Sequence, residues 1–453
     1  MRRKIAIIFY IIIVTACSKN DEIDGDSDFQ LPEITPTGDE SYLNFSSDYI
    51  FDDNVLHTFY LELSADNYSK INANPAAEQY VEGMLIFEGD TISPVGIRYK
   101  GSIGGFVGCV SGSDWTNPSG RKTCTKLSMK VKINWEGREE HFYGLKKLQF
   151  HSQNLDPSQM HERLGYYLFR QMGVPAPRSV HARLMINGEY SGVYALTEQI
   201  DGRFARYNFE DGKGNVYKEV WPLTMNGNVN SNSAFINALR TNEDENPSVE
   251  IIRSFAQEVK NAPESELQEV ISASMDINEI VSHAVVDRTI RNDDGPFHWY
   301  CGGGGCSNHN YYWYEEPVNK ELHLIPWDLD NAFENIIQDG NPITPIKDEW
   351  GMISNNCQPF NYGTFNSRQW SASCDKLTGG WASFTEEYQQ IKAVFIEGPF
   401  SQENVDPLLE KWSEQIREAV ADAHSSHSDA ISVEQWEWAM GVLKEQLEYA
   451  RAK

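Results

Sequence analysis

Seven segments in the first half of the chain alternate apolar and polar residues. A period of two is typical of β-strands that turn one face to a core. The segments read HTFYLEL, GMLIFEG, VGIRYKG, KLSMKVKINW, KKLQFHS, VHARLMING and GVYALTEQ. The pattern therefore predicts a first half that is rich in strands.

Other segments have the period of an amphipathic helix. SQMHERLGYYLFRQMG begins after Asp156, Pro157 and Ser158 and ends before Gly173, which are helix start and stop signals. DINEIVSHAVVDRTIRNDDG predicts another helix, and a long loop is expected up to about residue 380. The sequence thus predicts an α+β fold in one large domain.

The chain begins like an exported lipoprotein. Three basic residues are followed by apolar residues 5–14 and by small residues before Cys17. This order predicts a signal peptide over residues 1–16, with lipid added to the thiol of Cys17. The alternative is an ordinary secretory signal in which Cys17 has no role. Residues 17–45 begin as a polar, acidic stretch, which predicts a flexible tether.

The tether also bears on location and on domain bounds. Acidic residues directly behind Cys17 resemble a surface-export signal of some diderm bacteria. We therefore expect an outer-membrane lipoprotein exposed at the cell surface, with the lipid as its only membrane anchor. The large domain is expected over residues 46–400. Residues 401–453 predict two amphipathic helices that pack on the helical part of that domain.

The other cysteines of the chain are Cys109, Cys124, Cys301, Cys306, Cys357 and Cys374. An even number in an exported chain indicates disulfides. Six cysteines allow fifteen pairings, and the local ones close short loops rich in Gly and Ser. We predict the pairs 109–124, 301–306 and 357–374. The spacings do not match a usual zinc site.

The chain is strongly acidic, with 66 Asp and Glu against 38 Lys and Arg and a formal net charge of −28. Binding to a phosphate backbone needs clustered cations, so we expect no nucleic-acid partner. An anionic ligand would need a local group of basic residues or a bound metal to overcome this field.

Two strand segments could supply such a basic group. Arg98 and Lys100 share one face of a strand that leads into a glycine-rich loop, which either approaches phosphates or is a plain hairpin loop. Lys126, Lys130 and Lys132 recur with a period of two and so are expected on one face. That face either binds a polyphosphate or is a solvated edge.

Glu198 and Lys218 lie close to the ends of two further strands, in LTEQID and NVYK. Glu198 either has a structural role, pairs with a nucleotide-binding lysine, or belongs to a hinge segment. Lys218 extends the set of basic candidates.

Carboxylate and amide side chains follow in the second half of the chain. Asp294 ends the segment RTIRNDDG, Asn310 precedes an apolar strand, and Asp328 and Asp330 follow the apolar run LHLIP. Enzymes of phosphoryl transfer have these residue types in the same chain order. An Asp acts as the base, and an Asn and a second Asp hold Mg²⁺ against the phosphates. Hard cations prefer such oxygen ligands. The pattern predicts Mg²⁺ or Mn²⁺ together with a nucleotide.

These stretches together resemble the CotH kinase family of atypical, secreted or surface-associated kinases. The resemblance covers about residues 50–335 and rests, in chain order, on VGIRYKG, KLSMKVK, LDPSQMHERLGYYLFRQMGVPAPRS, INGEYSGVYALTEQID, GNVYK, NDDG, HNYYWY and IPWDLD. It implies a distant protein-kinase-like fold with a strand-rich N-lobe and a helical C-lobe. It also implies transfer of the γ-phosphoryl group of ATP to a hydroxyl, on Ser or Thr of a secreted or surface protein or on a glycan.

The resemblance also implies roles for single residues. The catalytic base maps onto Asp294 and the metal-binding Asp onto Asp328, with Asn310 and Asp330 nearby as further metal ligands. The nucleotide-binding residues are expected among Arg98, Lys126, Lys130, Glu198 and Lys218. The implied cofactors are ATP and Mg²⁺ or Mn²⁺.

One stretch departs from the family pattern. GPFHWYCGGGGCSN separates Asp294 from His309, where the family has only a few residues. This insertion predicts a hairpin that either shapes a substrate groove or displaces Asn310. The second hypothesis is therefore an inactive adhesion or carbohydrate- or protein-binding module, which would present Trp350, Trp370 and Trp381 on its surface.

Overall fold

The structure, a computed structural model, describes residues 46–139, 141–243, 247–337, 357–361 and 368–453. The expected signal peptide and tether, with Cys17, lie outside these residues, as does much of the loop expected before residue 380. Among the described residues, no helix is both long and apolar enough to cross a membrane.

The seven alternating segments form seven strands, and these close into a barrel in the order β1-β2-β3-β4-β5-β7-β6. Neighbours are antiparallel except β1 and β6, which pair in parallel and complete the barrel. The strands are β1 His57–Glu62, β2 Val81–Phe87, β3 Asp90–Tyr99, β4 Met129–Lys132, β5 Lys147–His151, β6 Ser179–Ile186 and β7 Glu189–Thr197.

Side chains fill the barrel. Phe59, Ile97, Val131 and Phe150 are fully buried, as expected for a barrel of this size. A ligand site on these strands must therefore use their outward-facing residues.

The remaining strands form two small antiparallel sheets. One has the order β12-β11-β8 and the other the order β10-β9-β14-β13. Their bounds are β8 Asn215–Lys218, β9 Trp299–Gly302, β10 Gly305–Ser307, β11 Tyr311–Glu315, β12 Leu322–Pro326, β13 Phe360–Asn361 and β14 Arg368–Trp370.

Helices dominate the second half, and most of these pack around the sheets in a large core. The helices of the described residues, from both halves, are α1 Ala65–Ala73, α2 Ile103–Phe106, α3 His161–Gln171, α4 Gly202–Asn208, α5 Asn232–Ala238, α6 Glu250–Asn261, α7 Leu267–Ser272, α8 Ile277–Ile290, α9 Lys376–Ala382, α10 Thr385–Glu397, α11 Gln402–Ser426 and α12 Val433–Arg451. The predicted α+β class, with strands first and helices later, is confirmed.

The C-terminal helices contact both halves of the fold. Helix α11 lies against β7 of the barrel, and α12 contacts α8. The guanidinium of Arg163 on α3 is buried between Asp53 at 2.6 Å, Gln415 of α11 at 2.8 Å and the ring of Trp412 at 4.5 Å. The last helices therefore help to hold α3 in place.

All three predicted disulfides, Cys109–Cys124, Cys301–Cys306 and Cys357–Cys374, are present.

Two expectations for the region after residue 367 are wrong. Residues 368–382 include β14 and α9 instead of a continuous loop. The indoles of Trp370 and Trp381 are buried, where they contact the rings of Trp299 and Trp221 at centroid distances of 5.2 and 5.6 Å. Aromatic packing in the core thus removes two of the exposed tryptophans on which the binding-module hypothesis drew, while Trp350 lies outside the described residues.

Candidate active site

Three strand ends meet at one edge of the β12-β11-β8 sheet. The register pairs Tyr312 with Lys218 and Tyr311 with Pro326, which places Lys218, Asn310 and Asp328 at the same edge. The backbone N–H of Trp327 donates to the carbonyl of Asn310 over 3.2 Å. Residues that are far apart in the sequence thus become neighbours.

The backbone at this edge is locally strained. Glu219, Asn310 and Asp328 all have positive φ angles, of 55°, 60° and 56°. Residues other than Gly rarely adopt this conformation, and such strain concentrates at functional sites.

Asp294 lies in the loop after α8 and accepts three side-chain hydrogen bonds. The donors are Asn310 Nδ2 at 2.8 Å, His309 Nε2 at 2.8 Å and the hydroxyl of Tyr300 at 2.6 Å. The insertion therefore does not displace Asn310. Burial acts to raise the pKa of Asp294, but the hydrogen bond and charge of His309 outweigh it and hold the pKa below its ordinary value. The group is a carboxylate at neutral pH, ready to accept a proton.

A hydrogen-bonded chain joins the barrel to α3. Lys100, directly after β3, lies with its Nζ 2.5 Å from Nε2 of His151, and Nδ1 of His151 lies 2.7 Å from Glu162 of α3. These contacts assign the ring proton to Nδ1, which donates to Glu162, while Nε2 accepts from the ammonium. In protein kinases a Lys on β3 pairs directly with a Glu of a helix. In this chain, His151 lies between the two.

Acidic groups converge beside this chain. Ligand atoms of His151, Glu162 and Asp328 lie within 4.8 Å of one another. Burial and the like charges of Glu162 and Asp294 raise the pKa of Asp328. Burial and the charges of Asp328, Glu162 and Asp294 raise the pKa of Asp330 well above its ordinary value. Oxygen donors with unfavourable mutual repulsion fit a divalent cation, which would offset that repulsion.

Basic residues on the outer face of β3 and β4 lie beside the acidic cluster. Arg98 and Lys130 are cross-strand partners, and the charge of Lys218 acts on Lys100. We call Arg98, Lys100, Lys130 and Lys218 the basic patch. Burial, together with the positive charges of Lys100, Lys147 and Arg98, lowers the pKa of Lys130 to about 6. Arg98 and Lys218 also pair with Glu78 and Glu219, and the clustered cations of the patch suit a polyanion such as a triphosphate.

Two of the expected nucleotide-binding residues lie elsewhere. Lys126 donates to the carbonyl of Val193 over 2.7 Å and lines a separate cavity of 350 Å³. Strand β4 begins only at Met129, so Lys126 precedes the strand and does not share its basic face. Glu198 is buried in an ion pair with Arg178 at 2.7 Å, which is the structural alternative for this residue. The structure brings neither residue to the acidic cluster.

Sequence reasoning did not assign roles to His151, Glu162 or Tyr300. Lys100 was considered only as the partner of Arg98 on the same strand face. Glu162 stands in the first turn of α3, where an acidic residue is expected for helix stability alone. The run of charged residues His161, Glu162 and Arg163 at the start of a helix with an apolar middle is the signal that could have identified it.

Comparison with known proteins gives the family of the chain. A family model described as CotH kinase protein matches residues 97–452. The chain belongs to the CotH kinase family. Inner spore coat protein H of Bacillus subtilis (strain 168) is 22% identical over 289 residues, which cover 61% of this chain and 69% of that protein. The inner spore coat protein H-like protein of the same organism is 23% identical over 294 residues, which cover 64% and 73%.

Two solved structures show distant similarity. One is the complex of HipA, HipB and operator DNA from a Shewanella oneidensis MR-1 toxin–antitoxin system, with a TM-score of 0.28 at 10% identity over 72% of this chain and 64% of that chain. The other is the Helicobacter pylori proinflammatory kinase CtkA, with a TM-score of 0.24 at 12% identity over 67% and 92%. The predicted family is confirmed by the family match.

Proposed function

We propose that this protein transfers the γ-phosphoryl group of ATP to a hydroxyl group. One observation carries the proposal: Asp294, Asn310, Asp328 and the Lys100–His151–Glu162 chain come from separate segments and meet at one place. They supply a base, oxygen ligands and phosphate-binding cations, which are the parts that phosphoryl transfer requires.

Asp294 acts as the general base. Its lowered pKa keeps it ionised, and its bonds to Asn310 and His309 fix the orientation of the carboxylate. In this role Asp294 accepts the proton of the attacking hydroxyl. A positioned base of this kind contributes roughly 10²- to 10⁴-fold to the rate.

Asp328, with Asp330 and Asn310, would hold Mg²⁺ or Mn²⁺. The amide nitrogen of Asn310 is committed to Asp294, so its amide oxygen is the atom that remains for a cation. When bound, the metal neutralises charge on the nucleotide phosphates.

The basic patch binds the nucleotide phosphates. Glu162 positions Lys100 through His151, because the ring nitrogen of His151 holds the ammonium at 2.5 Å. Lys130 and Arg98 extend the positive surface along the outer face of β3 and β4.

Titration calorimetry with ATP, with and without Mg²⁺, together with a phosphoryl-transfer assay tests this proposal. Asp328→Ala should lose the metal-dependent part of the affinity and all turnover. Asp294→Ala should keep the affinity while transfer falls by roughly 10²- to 10⁴-fold. Asp330→Ala should have a milder effect, because Asp328 and Asn310 remain to hold the cation. Glu250→Ala, on an exposed helix face, is the control.

The proposal fails if the wild type binds no nucleotide at any metal concentration. The carboxylates would then be explained better as a structural cation site in a binding module.

We further propose that the acceptors are Ser or Thr residues of secreted or surface proteins, with glycan hydroxyls as the alternative. We also propose that the protein acts at the cell surface as an outer-membrane lipoprotein. The support is the N-terminal sequence pattern and the acidic stretch behind Cys17. Cys17→Ser should release a folded protein from the membrane fraction, because the lipid is the only proposed anchor. Unchanged membrane association would contradict the lipoprotein assignment.

A further inference from the structure

The inserted hairpin, formed by β9 and β10, lies next to Asp294, the proposed base. It is closed by the Cys301–Cys306 disulfide, and β9 also pairs with β14 on its other side. The hydroxyl of Tyr300 in β9 donates to Oδ1 of Asp294 over 2.6 Å. An element outside the family pattern thus contacts the central catalytic residue.

Ring stacking fixes the position of Tyr300. Its ring stacks on His298 at a centroid distance of 4.0 Å and an interplanar angle of 10°. On the side toward the active site it stacks on His309 at 4.9 Å and 14°. Because β9 is bonded to a strand on each side, the hydroxyl is held at Asp294 by both backbone and ring contacts.

The hydrogen bond between Tyr300 and Asp294 has the form of a catalytic contact. A general base must accept a hydrogen bond from the hydroxyl that it activates, over about 2.6–3.2 Å. The O–H of Tyr300 makes this bond, while His309 and Asn310 take two further positions on the carboxylate. An ionised carboxylate offers about four acceptor positions, so an incoming hydroxyl meets a nearly saturated group.

We propose that Tyr300 occupies the place of the acceptor hydroxyl, so that the inserted hairpin is an internal competitor of external acceptors. This inference rests on the proposed phosphotransferase function and adds a regulatory element to the same site. An acceptor must displace the Tyr300 hydroxyl before Asp294 can take its proton.

The Tyr300→Phe variant tests the competition because it keeps the stacked ring and removes only the hydroxyl. With Mg²⁺ and ATP but no added acceptor, water can then reach Asp294. We expect ADP formation to rise roughly 10- to 100-fold, which corresponds to the release of one hydrogen bond to a charged group. Tyr60→Phe is the matched control, since Tyr60 is 39% exposed on the barrel.

A second variant loosens the hairpin but retains the hydroxyl. The double substitution of Cys301 and Cys306 by Ser opens the loop, and it should raise ADP formation by less than Tyr300→Phe does. Hydrogen exchange gives a readout that does not depend on activity. Amide exchange of β9 and β10 should rise in Tyr300→Phe and remain unchanged in Tyr60→Phe.

Nucleotide affinity separates the two possible failures. If no variant binds ATP, the proposed function fails and this inference fails with it. If ATP binds normally but Tyr300→Phe leaves ADP formation unchanged or lowers it, Tyr300 supports Asp294 instead of competing with acceptors, and only the inference is overturned.

Discussion

Nucleotide binding should be coupled to proton uptake by Lys130. In the free protein its pKa of about 6 leaves it mostly neutral at pH 7.5, with roughly 3% in the charged form. A triphosphate on the basic patch brings opposite charge close to the ammonium, which typically shifts a pKa by about 1–3 units toward the charged form. A rise of about 2 units would protonate most of the population and take up roughly 0.7 proton per nucleotide at pH 7.5.

The proton uptake also determines how the nucleotide affinity changes with pH. Below about pH 5 Lys130 is already mostly charged, so uptake should fall toward zero there. Above pH 7 the affinity for the nucleotide should decline as pH rises, because binding takes up a proton and the proton concentration falls.

Titration calorimetry in buffers of different ionisation enthalpy measures this uptake directly. Protons released by the nucleotide itself cancel when the wild type is compared with Lys130→Met, so the difference between the two isolates Lys130. Lys132→Met, at the next outward position of β4, is the control and should behave like the wild type. Equal proton uptake by the wild type and Lys130→Met would refute the reasoning.

Three further predictions concern stability. In Gly165→Ala, the new Cβ on α3 would lie 2.7 Å from Leu329 Cδ1. This overpacking should lower the free energy of unfolding, measured in urea, by about 1–3 kcal/mol. It should also shift the turn that carries Asp328 and Asp330. Gly441→Ala, with no atom within 4 Å of the new Cβ, should instead gain about 0.5–1 kcal/mol from helix propensity. Asp293 is buried, and burial raises its pKa to about 9. Between pH 4 and 9, only the unfolded chain therefore loses the proton of this group. The free energy of unfolding of the wild type should fall as pH rises through this range. Asp293→Asn should flatten this curve and stabilise the protein by a few kcal/mol at pH 7, and an unchanged pH profile would contradict the assignment. Glu198→Ala should remove one carboxylate partner of the buried Arg178, which keeps its ion pair with Asp48, and should lower the free energy of unfolding by about 1–3 kcal/mol. Its ATP affinity should remain that of the wild type, whereas a large loss of affinity would restore Glu198 as a nucleotide-binding residue.

The strands were predictable because alternation is a local property of the sequence. All seven alternating segments form strands of the barrel. Closure was not predictable, because it depends on the parallel pairing of β1 with β6, in which His57 meets Ala182 from a distant part of the chain. No local pattern specifies such a contact.

The residues of the candidate site were likewise predictable only in part. Asp294, Asn310 and Asp328 were assigned through the family pattern, and the structure brings them together. Lys126 was grouped with Lys130 by a period of two, but that period holds only inside a strand, and β4 starts after Lys126.

The inserted hairpin was also visible in the sequence, and its two cysteines indicated the loop closure. The return of Tyr300 to Asp294 depends on how β9 pairs with β14, which is a long-range contact. Spacing alone could not show that the insertion reaches the proposed base.

The burial of Arg163 has a consequence for the order in which the protein is made. Arg163 is adjacent to Glu162, and its partners Asp53 and Gln415 come from opposite ends of the folded domain. Synthesis proceeds from the N-terminus, so a nascent chain holds Arg163 without Gln415 and Trp412 until α11 has emerged. A buried guanidinium that lacks some of its partners destabilises the helix that carries it. Helix α3, and Glu162 with it, is therefore fully supported only once α11 has been added to the chain.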